Sequence, residues 1–384
     1  MRLAYVTETY PPELNGVALT AARTVDYLRA RGHQVGLVRP RQSADDRPAT
    51  PGDWCTFGCP IPMYPDLRFG LAAATTLQWR WHDAGVQLVH VATQGPLGWA
   101  AITAARRLQL PVTCDFRTNF HQYASYYGVG WIAPVVQGYL KRFHARAERS
   151  FVPTRETRDR LQAAGFERLR VVGRGIDTVA FSPRWRSPEL RRDWSPDGAP
   201  VLLYVGRLAA EKNVGLALRA FRAVRRGVPQ AAMVVVGDGP LRASLAREFP
   251  EVRFVGVQRG EALSRHYASA DLFLFPSLSD TFGNVTLEAL ASGLPVTAFD
   301  TAAAAEHVVD GLSGRLAACG DETAFIDAAC GLAGRHRELQ AMRAAARAAA
   351  HRADWATVML DFERQLTEVV DAQQTPTAEV AVVA

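Results

Sequence analysis

Lysine is nearly missing from this 384-residue chain: it stands only at Lys141 and Lys212, and 42 of the 44 basic side chains are arginine. The basic residues are spread along the chain, with no RNA or DNA motif and no repeated interleaving of aromatic and basic positions, which excludes a nucleic-acid binder. The net charge of +6 still suits an anionic partner, either a phosphate-bearing small molecule or an anionic membrane surface. Cysteine is sparse as well. Cys55, Cys59, Cys114, Cys319 and Cys330 are odd in number and lack zinc-ligand spacing, which argues against a disulfide framework or a structural zinc and for reduced thiols. No run approaches the ~18 to 20 apolar residues of a membrane span, so an integral membrane protein is excluded. The opening "MRLAYVTETYPP" reaches an acidic residue and two prolines within a dozen positions. No signal peptide fits there, and a cytoplasmic location is expected. A solenoid repeat is absent, and "GDGP" at residues 237–240 does not extend to the GxGxxG dinucleotide fingerprint.

What is present reads as ordinary soluble protein, 48% hydrophobic and 21% charged. At the usual ~100 to 200 residues per domain, the length implies two domains. "RLAYVTE", "GVALTAARTVDYLRARG" and "HQVGLVRP" make a strand, an amphipathic helix and a strand, a βαβ unit that implies parallel sheet. The alternation continues through "VQLVHVAT", "GPLGWAAITAARRLQ" and "LPVTCDF". After a stretch dense in proline and charge, "PVLLYVGRL", "AAMVVVGDG", "VRFVG" and "DLFLFPS" are strands separated by helices. "WATVMLDFERQLTEVVDA" is one amphipathic helix with Trp355, Met359, Phe362 and Leu366 along a face. The expected division is a doubly wound α/β domain over residues 1–182, a connection over 183–200, a second α/β domain over 201–350, a helix over 351–372 packing back on the body, and a frayed tail over 373–384.

Charged residues at strand ends carry the chemistry. In "YVGRLAAEKNV", Arg207 and Lys212 follow a strand, where open α/β sheets bind ligands. A planar guanidinium fork and a point-charge ammonium suit a diphosphate, although solvated surface charge gives the same pattern. In "DTFGNVTLEALASGLPV", residues 280–296, Gly283 and Asn284 stand where a helix begins, with free backbone N–H groups for phosphate or sugar hydroxyls. Asp280 reads either as a ligand contact or as a plain N-cap. Glu288, about two turns in, cannot cap that helix; buried, it needs a partner, which a hydroxyl-rich ligand such as a ribose supplies. Gly16 in "NGV" lets a phosphate approach the first helix closely. "GDGP" serves a ligand or tight strand-to-helix packing equally well.

Taken together, "NGV", "GRL" followed by "EKN", "GDGP" and above all "PSLSDTFGNVTLEALASGLPV" resemble the retaining glycosyltransferases of family 4 across nearly the whole chain. The resemblance implies the GT-B architecture, two facing Rossmann-like domains, the first for acceptor and the second for donor nucleotide. It is similar to the family's E-x7-E motif, with the first glutamate replaced by Asp280 and the second kept as Glu288. By that resemblance Arg207 and Lys212 bind the donor diphosphate and Gly16 closes over the phosphates. Asp280 and the backbone of Phe282 and Gly283 hold the hexose, Glu288 holds the ribose, and Thr281, Asn284 and Val285 complete the donor-binding stretch. The mannosyltransferase and sulfoquinovosyltransferase-like branch has a segment resembling Y-H-T-N-F-P; here it reads "FRTNFHQYASYYG". Arg117 stands where the branch has histidine, so the sugar contact passes to Arg117 or His121, with Asn119 between them.

The resemblance implies a metal-independent, retaining hexosyltransferase of glycolipid or polysaccharide synthesis, with no cofactor. The donor expected is GDP-mannose first and a UDP-hexose second. "WIAPVVQGYLKRFHARAER", residues 131–149, mixes aromatic, apolar and cationic positions, as does a helix lying on an anionic membrane. An amphipathic core-packing helix has the same composition. A lipid-linked or glycan acceptor and peripheral contact with the inner membrane face follow from the first reading. The rivals are a sugar-nucleotide 2-epimerase of similar fold and a catalytically silent sugar-nucleotide sensor.

Overall fold

A computed structural model of the chain describes residues 1–13, 16–43, 45–61, 64–116, 133–278, 280 and 282–374. The chain forms two compact units, one built from Met1–Val172 with the segment beginning at Met359, the other from Gly173–Val358.

The first unit is an eight-stranded sheet in the order β4-β3-β2-β1-β5-β6-β7-β8. The strands are β1 Arg2–Val6, β2 Gln34–Pro40, β3 Trp54–Ile61, β4 Tyr64–Leu71, β5 Leu88–Val91, β6 Val112–Asp115, β7 Arg149–Val152 and β8 Leu169–Val171. All neighbours are parallel except β3 and β4. Central β1 is buried from Leu3 to Val6 because helices cover both faces of a parallel sheet, which explains its unbroken apolar run. The β3–β4 hairpin is absent from the sequence reading: Gly58 and Pro60 interrupt its alternation, and such residues are tolerated at a sheet edge. The helix Ala133–His144 buries Leu140 and Phe143 while Val135, Lys141 and Arg142 stay exposed, so one face packs on the core and the other meets solvent.

The second unit is a six-stranded parallel sheet in the order β11-β10-β9-β12-β13-β14. Its strands are β9 Val201–Val205, β10 Ala232–Val236, β11 Arg253–Gly256, β12 Leu272–Phe275, β13 Val296–Phe299 and β14 Gly314–Ala317. In chain order this is 3-2-1-4-5-6, the doubly wound arrangement, and the sheet reverses direction of growth between β9 and β12. Leu202, Tyr204, Phe221, Val234, Phe273 and Leu290 form its interior, none more than 1% exposed. Residues 183–200 are folded into this unit. Arg186 and Arg191 both reach the carboxylate of Asp271, at 3.1 and 2.5 Å, and Val201 N donates to it at 2.9 Å. A buried carboxylate needs such partners, so this cluster fastens the helix Pro188–Trp194 to the start of β12.

The helix Trp355–Gln374 belongs to the second unit through Val358 and to the first from Met359 onward. Met359, Phe362 and Leu366 are buried on one face, as their spacing predicts, and Phe362 meets the ring of His90 edge-on at 5.2 Å. Among the described residues no helix is long and apolar enough to cross a membrane.

Candidate functional site

Loops at the carboxyl ends of β9 and β12 flank the point where the second sheet reverses, the place where an open α/β sheet leaves a crevice. From β9 the chain passes Gly206 and Arg207 into the short 3-10 turn Ala210–Lys212, then through left-handed Asn213 (φ 49°) into the helix Val214–Gly227. The "GDGP" turn after β10 packs on this loop. A Cβ at Gly237 would lie 2.0 Å from the Gly206 carbonyl oxygen, and one at Gly239 would lie 2.5 Å from that of Leu208. Gly206 N donates to Val236 O at 3.0 Å and Leu208 N to Asp238 O at 2.9 Å. The two glycines therefore serve close packing, which fixes the backbone carrying Arg207.

From β12 the chain reaches Asp280 and then Gly283, which begins the helix Asn284–Ala291 in the left-handed region (φ 88°). No side chain caps this helix, so the N-cap reading of Asp280 is not what the geometry shows. Asp280 instead turns to Lys212, whose Nζ is 2.7 Å from Oδ1, with both side chains under one-fifth exposed. The second oxygen, Oδ2, is buried without a hydrogen-bond partner among the described residues. An unpartnered buried carboxylate oxygen is costly and calls for a hydrogen-bond donor. Arg207 is two-thirds exposed and touches Glu211 only at 3.9 Å, so its fork is available to solution. Phe282 is buried, its ring 6.0 Å from that of His307, and its carbonyl accepts from Ala303 N at 2.7 Å. Asn284 is exposed and Val285 half-buried.

Glu288 lies on the second turn of that helix, half-buried, and has a protein partner that sequence reasoning missed: Tyr267 Oη donates to Oε2 at 2.8 Å. Burial raises the Glu288 pKa to about 6, with the Tyr267 hydrogen bond acting in the opposite direction. A lone tyrosine on the inner face of a helix gives no sign in sequence of this pairing. Lysine scarcity was an unused signal: in a chain with 42 arginines, Lys212 keeps the compact ammonium where it meets Asp280.

In the first unit Gly16 opens the helix Gly16–Ala30, whose Thr20 hydroxyl donates to its carbonyl at 2.7 Å. Arg117, Asn119, His121 and Thr281 lie outside the described residues. That unit also reverses its sheet, between β1 and β5, and there Glu8 is buried. Its Oε1 accepts from Leu97 N at 3.0 Å and its own N–H donates to Thr93 Oγ1 at 2.9 Å. Burial raises its pKa to about 7, against the pull of the Leu97, Gly70 and Gly95 backbone. A cavity of about 1120 Å³ lies elsewhere in this unit, at the starts of β1 and β2, between Arg2, Trp54, Trp79 and Arg80. None of the expected site residues lines it.

The match to known proteins covers both units. The family model described as Glycosyltransferase Family 4 matches residues 14–180, and that described as Glycosyl transferases group 1 matches residues 199–335. A GDP-mannose-dependent alpha-mannosyltransferase of Mycolicibacterium smegmatis is 36% identical over 78% of this chain and 80% of its own length. A protein of the same name from Mycobacterium tuberculosis is 35% identical over 84% of this chain and 85% of its own. Among solved structures, sucrose-phosphate synthase from Thermosynechococcus elongatus superposes with a TM-score of 0.73 at 18% identity, covering 97% of this chain and 99% of that one. The fold is that of the GT-B glycosyltransferases. On these matches the chain belongs to glycosyltransferase family 4 and is a hexosyltransferase.

Proposed function

We propose that this enzyme transfers mannose from GDP-mannose to a hydroxyl of a lipid-linked or glycan acceptor, with retention at the anomeric carbon and without a metal. The observation that carries the reading is the Lys212–Asp280 pair at the sheet's reversal, with Asp280 Oδ2 left for a ligand hydroxyl. Arg207 and Lys212 neutralise the diphosphate, and charge builds on the departing phosphate oxygen as its bond to the anomeric carbon breaks. The acceptor oxygen bonds to that carbon on the same face, and the leaving phosphate oxygen takes its proton. Asp280 orients the hexose and never bonds to it; Glu288 accepts from the ribose hydroxyls. The guanine base is supported by the names of the mycobacterial relatives, and a UDP-hexose is the second choice. The exposed Val135, Lys141 and Arg142 support a lipid acceptor met at an anionic membrane face.

The test is a thermal-shift panel of GDP, UDP, ADP, GDP-mannose and UDP-glucose on the wild type, Arg207→Ala and Glu288→Ala. A ligand at a hundredfold excess over Kd stabilises the folded protein by ~2.7 kcal/mol. GDP and GDP-mannose shift the wild type and neither variant; a panel in which no nucleotide shifts the wild type refutes the donor site. Nucleotide release then requires acceptor, whereas an epimerase releases it without one and a sensor not at all. The product's anomeric configuration by NMR and turnover in excess chelator check retention and metal independence.

A further inference from the structure

We infer that Tyr267 is a positioning residue for donor binding: its hydroxyl holds one oxygen of Glu288 so that the other is presented to the vicinal hydroxyls of the donor ribose. The inference rests on the assignment of Glu288 to the ribose proposed above. Tyr267 sits in the last turn of the helix Gly260–Ser269 and is fully buried. Its ring is wedged between Phe181, edge-on at 5.7 Å, and Phe273, at 5.7 Å. The rotamer is thus set by packing, and the hydroxyl ends 2.8 Å from Glu288 Oε2. The terminal torsion of a glutamate is soft. With one oxygen fixed, that torsion is fixed too, and the direction of Oε1 with it; among the described residues Oε1 has no protein partner.

The bond also keeps Glu288 an acceptor. A ribose presents two hydroxyl donors, and only the ionised carboxylate accepts both at full strength. Burial already pushes Glu288 up to about 6, and the tyrosine hydroxyl is the group acting against it. Removing that hydroxyl lets the carboxyl protonate at a higher pH and frees its torsion. Tyr204 does not substitute, since its hydroxyl points to the Arg207 carbonyl at 3.3 Å.

The experiment measures GDP-mannose affinity by calorimetry from pH 5.5 to 8.5 for wild type, Tyr267→Phe, Glu288→Gln and the double variant. GDP-mannose is the probe because a diphosphate diester has no proton of its own to exchange in this range. Tyr267→Phe is expected to weaken binding about tenfold near pH 7, the loss of one charge-assisted hydrogen bond. The pH below which binding fails moves upward, and Tyr267→Phe adds nothing in the Glu288→Gln background. An unchanged pH midpoint, or an equal loss in both backgrounds, overturns the positioning role while leaving the donor site standing. Failure of the donor site looks different: the wild type then binds no nucleotide, or Glu288→Gln binds as well as wild type.

Discussion

Replacing Glu8 by glutamine should flatten one part of the protein's pH–stability curve. Glu8 is buried at the end of β1, and a Cβ at Gly95 would lie 1.7 Å from its Oε2, so no other residue fits between it and the start of the helix Pro96–Arg107. Its pKa rises from 4.5 to about 7 because burial outweighs the backbone N–H groups that favour the anion. The folded state therefore holds a proton that the unfolded state has released throughout that window. Below pH 4.5 both states are protonated and the group is neutral in the balance; above 7 both are ionised and the full penalty applies. Stability falls as pH rises between the two. At 1.36 kcal/mol per pKa unit, the loss is about 3 kcal/mol. His144 works in the opposite sense, since burial lowers its pKa to about 4 and stability is lost as pH falls from 6.5 towards that value. The diagnostic quantity is thus the difference between wild type and Glu8→Gln, in which His144 and Glu288 cancel. Urea unfolding at pH 4.5, 5.5, 6.5 and 7.5 gives it directly. The glutamine variant should gain about 3 kcal/mol relative to wild type across the series. Two parallel curves would refute the buried-carboxyl account of Glu8.

Four further substitutions, at three positions, test the second unit. Lys212→Ala strands Asp280, leaving a carboxylate less than one-fifth exposed with neither oxygen paired among the described residues, and should cost about 1–3 kcal/mol in urea unfolding as well as donor binding. Lys212→Arg should restore part of the stability but not the affinity, because a planar fork does not replace a compact ammonium in that contact. Gly237→Ala meets the Gly206 carbonyl at 2.0 Å and needs a left-handed residue (φ 137°), so it should lower Tm strongly and weaken nucleotide binding through the displaced Arg207 loop. Ala302→Gly relieves a buried alanine held at φ 49° and should stabilise by about 0.5–1 kcal/mol, visible as a higher urea midpoint.

The second sheet was legible because its strands are unbroken apolar runs bounded by glycine, serine and charge, a pattern set by burial on both faces. The positions of Arg207, Lys212 and Asp280 after strand ends were legible for the same reason, because the strands that precede them are recognisable. The β3–β4 hairpin was not, since one glycine and one proline erase a period-two signal that spans only eight residues per strand. Residues 183–200 read as a connection because proline and charge suggest solvent; their arginines find Asp271, 80 or more residues away in sequence, and nothing local encodes that. Glu8 stood at the end of the expected strand "RLAYVTE" with no role assigned, and its burial depends on Leu97, Gly70 and Gly95, which the sheet brings to it.

Lys212, Asp280 and Glu288 each have a close protein partner without ligand while Arg207 meets Glu211 only at 3.9 Å, and the kind of partner separates their tasks. Lys212 is paired with Asp280 through a compact ammonium that carries three donors, where a guanidinium would bring a planar fork. Asp280 has one oxygen committed and the other buried without a hydrogen-bond partner among the described residues, which on the proposed reading leaves it to accept a single hydroxyl in a set direction. Arg207, exposed and held only by Glu211 at 3.9 Å, gains most in order when it closes on an anion, and it pays the largest entropic cost for doing so. Loss of Arg207 should therefore act chiefly on affinity for the diphosphate. Loss of Asp280 should act on discrimination between hexoses carrying hydroxyls of opposite configuration. Competition by GDP alone against GDP-mannose, measured in Arg207→Ala and Asp280→Asn, separates the two: the first weakens both ligands equally, the second only the sugar-bearing one.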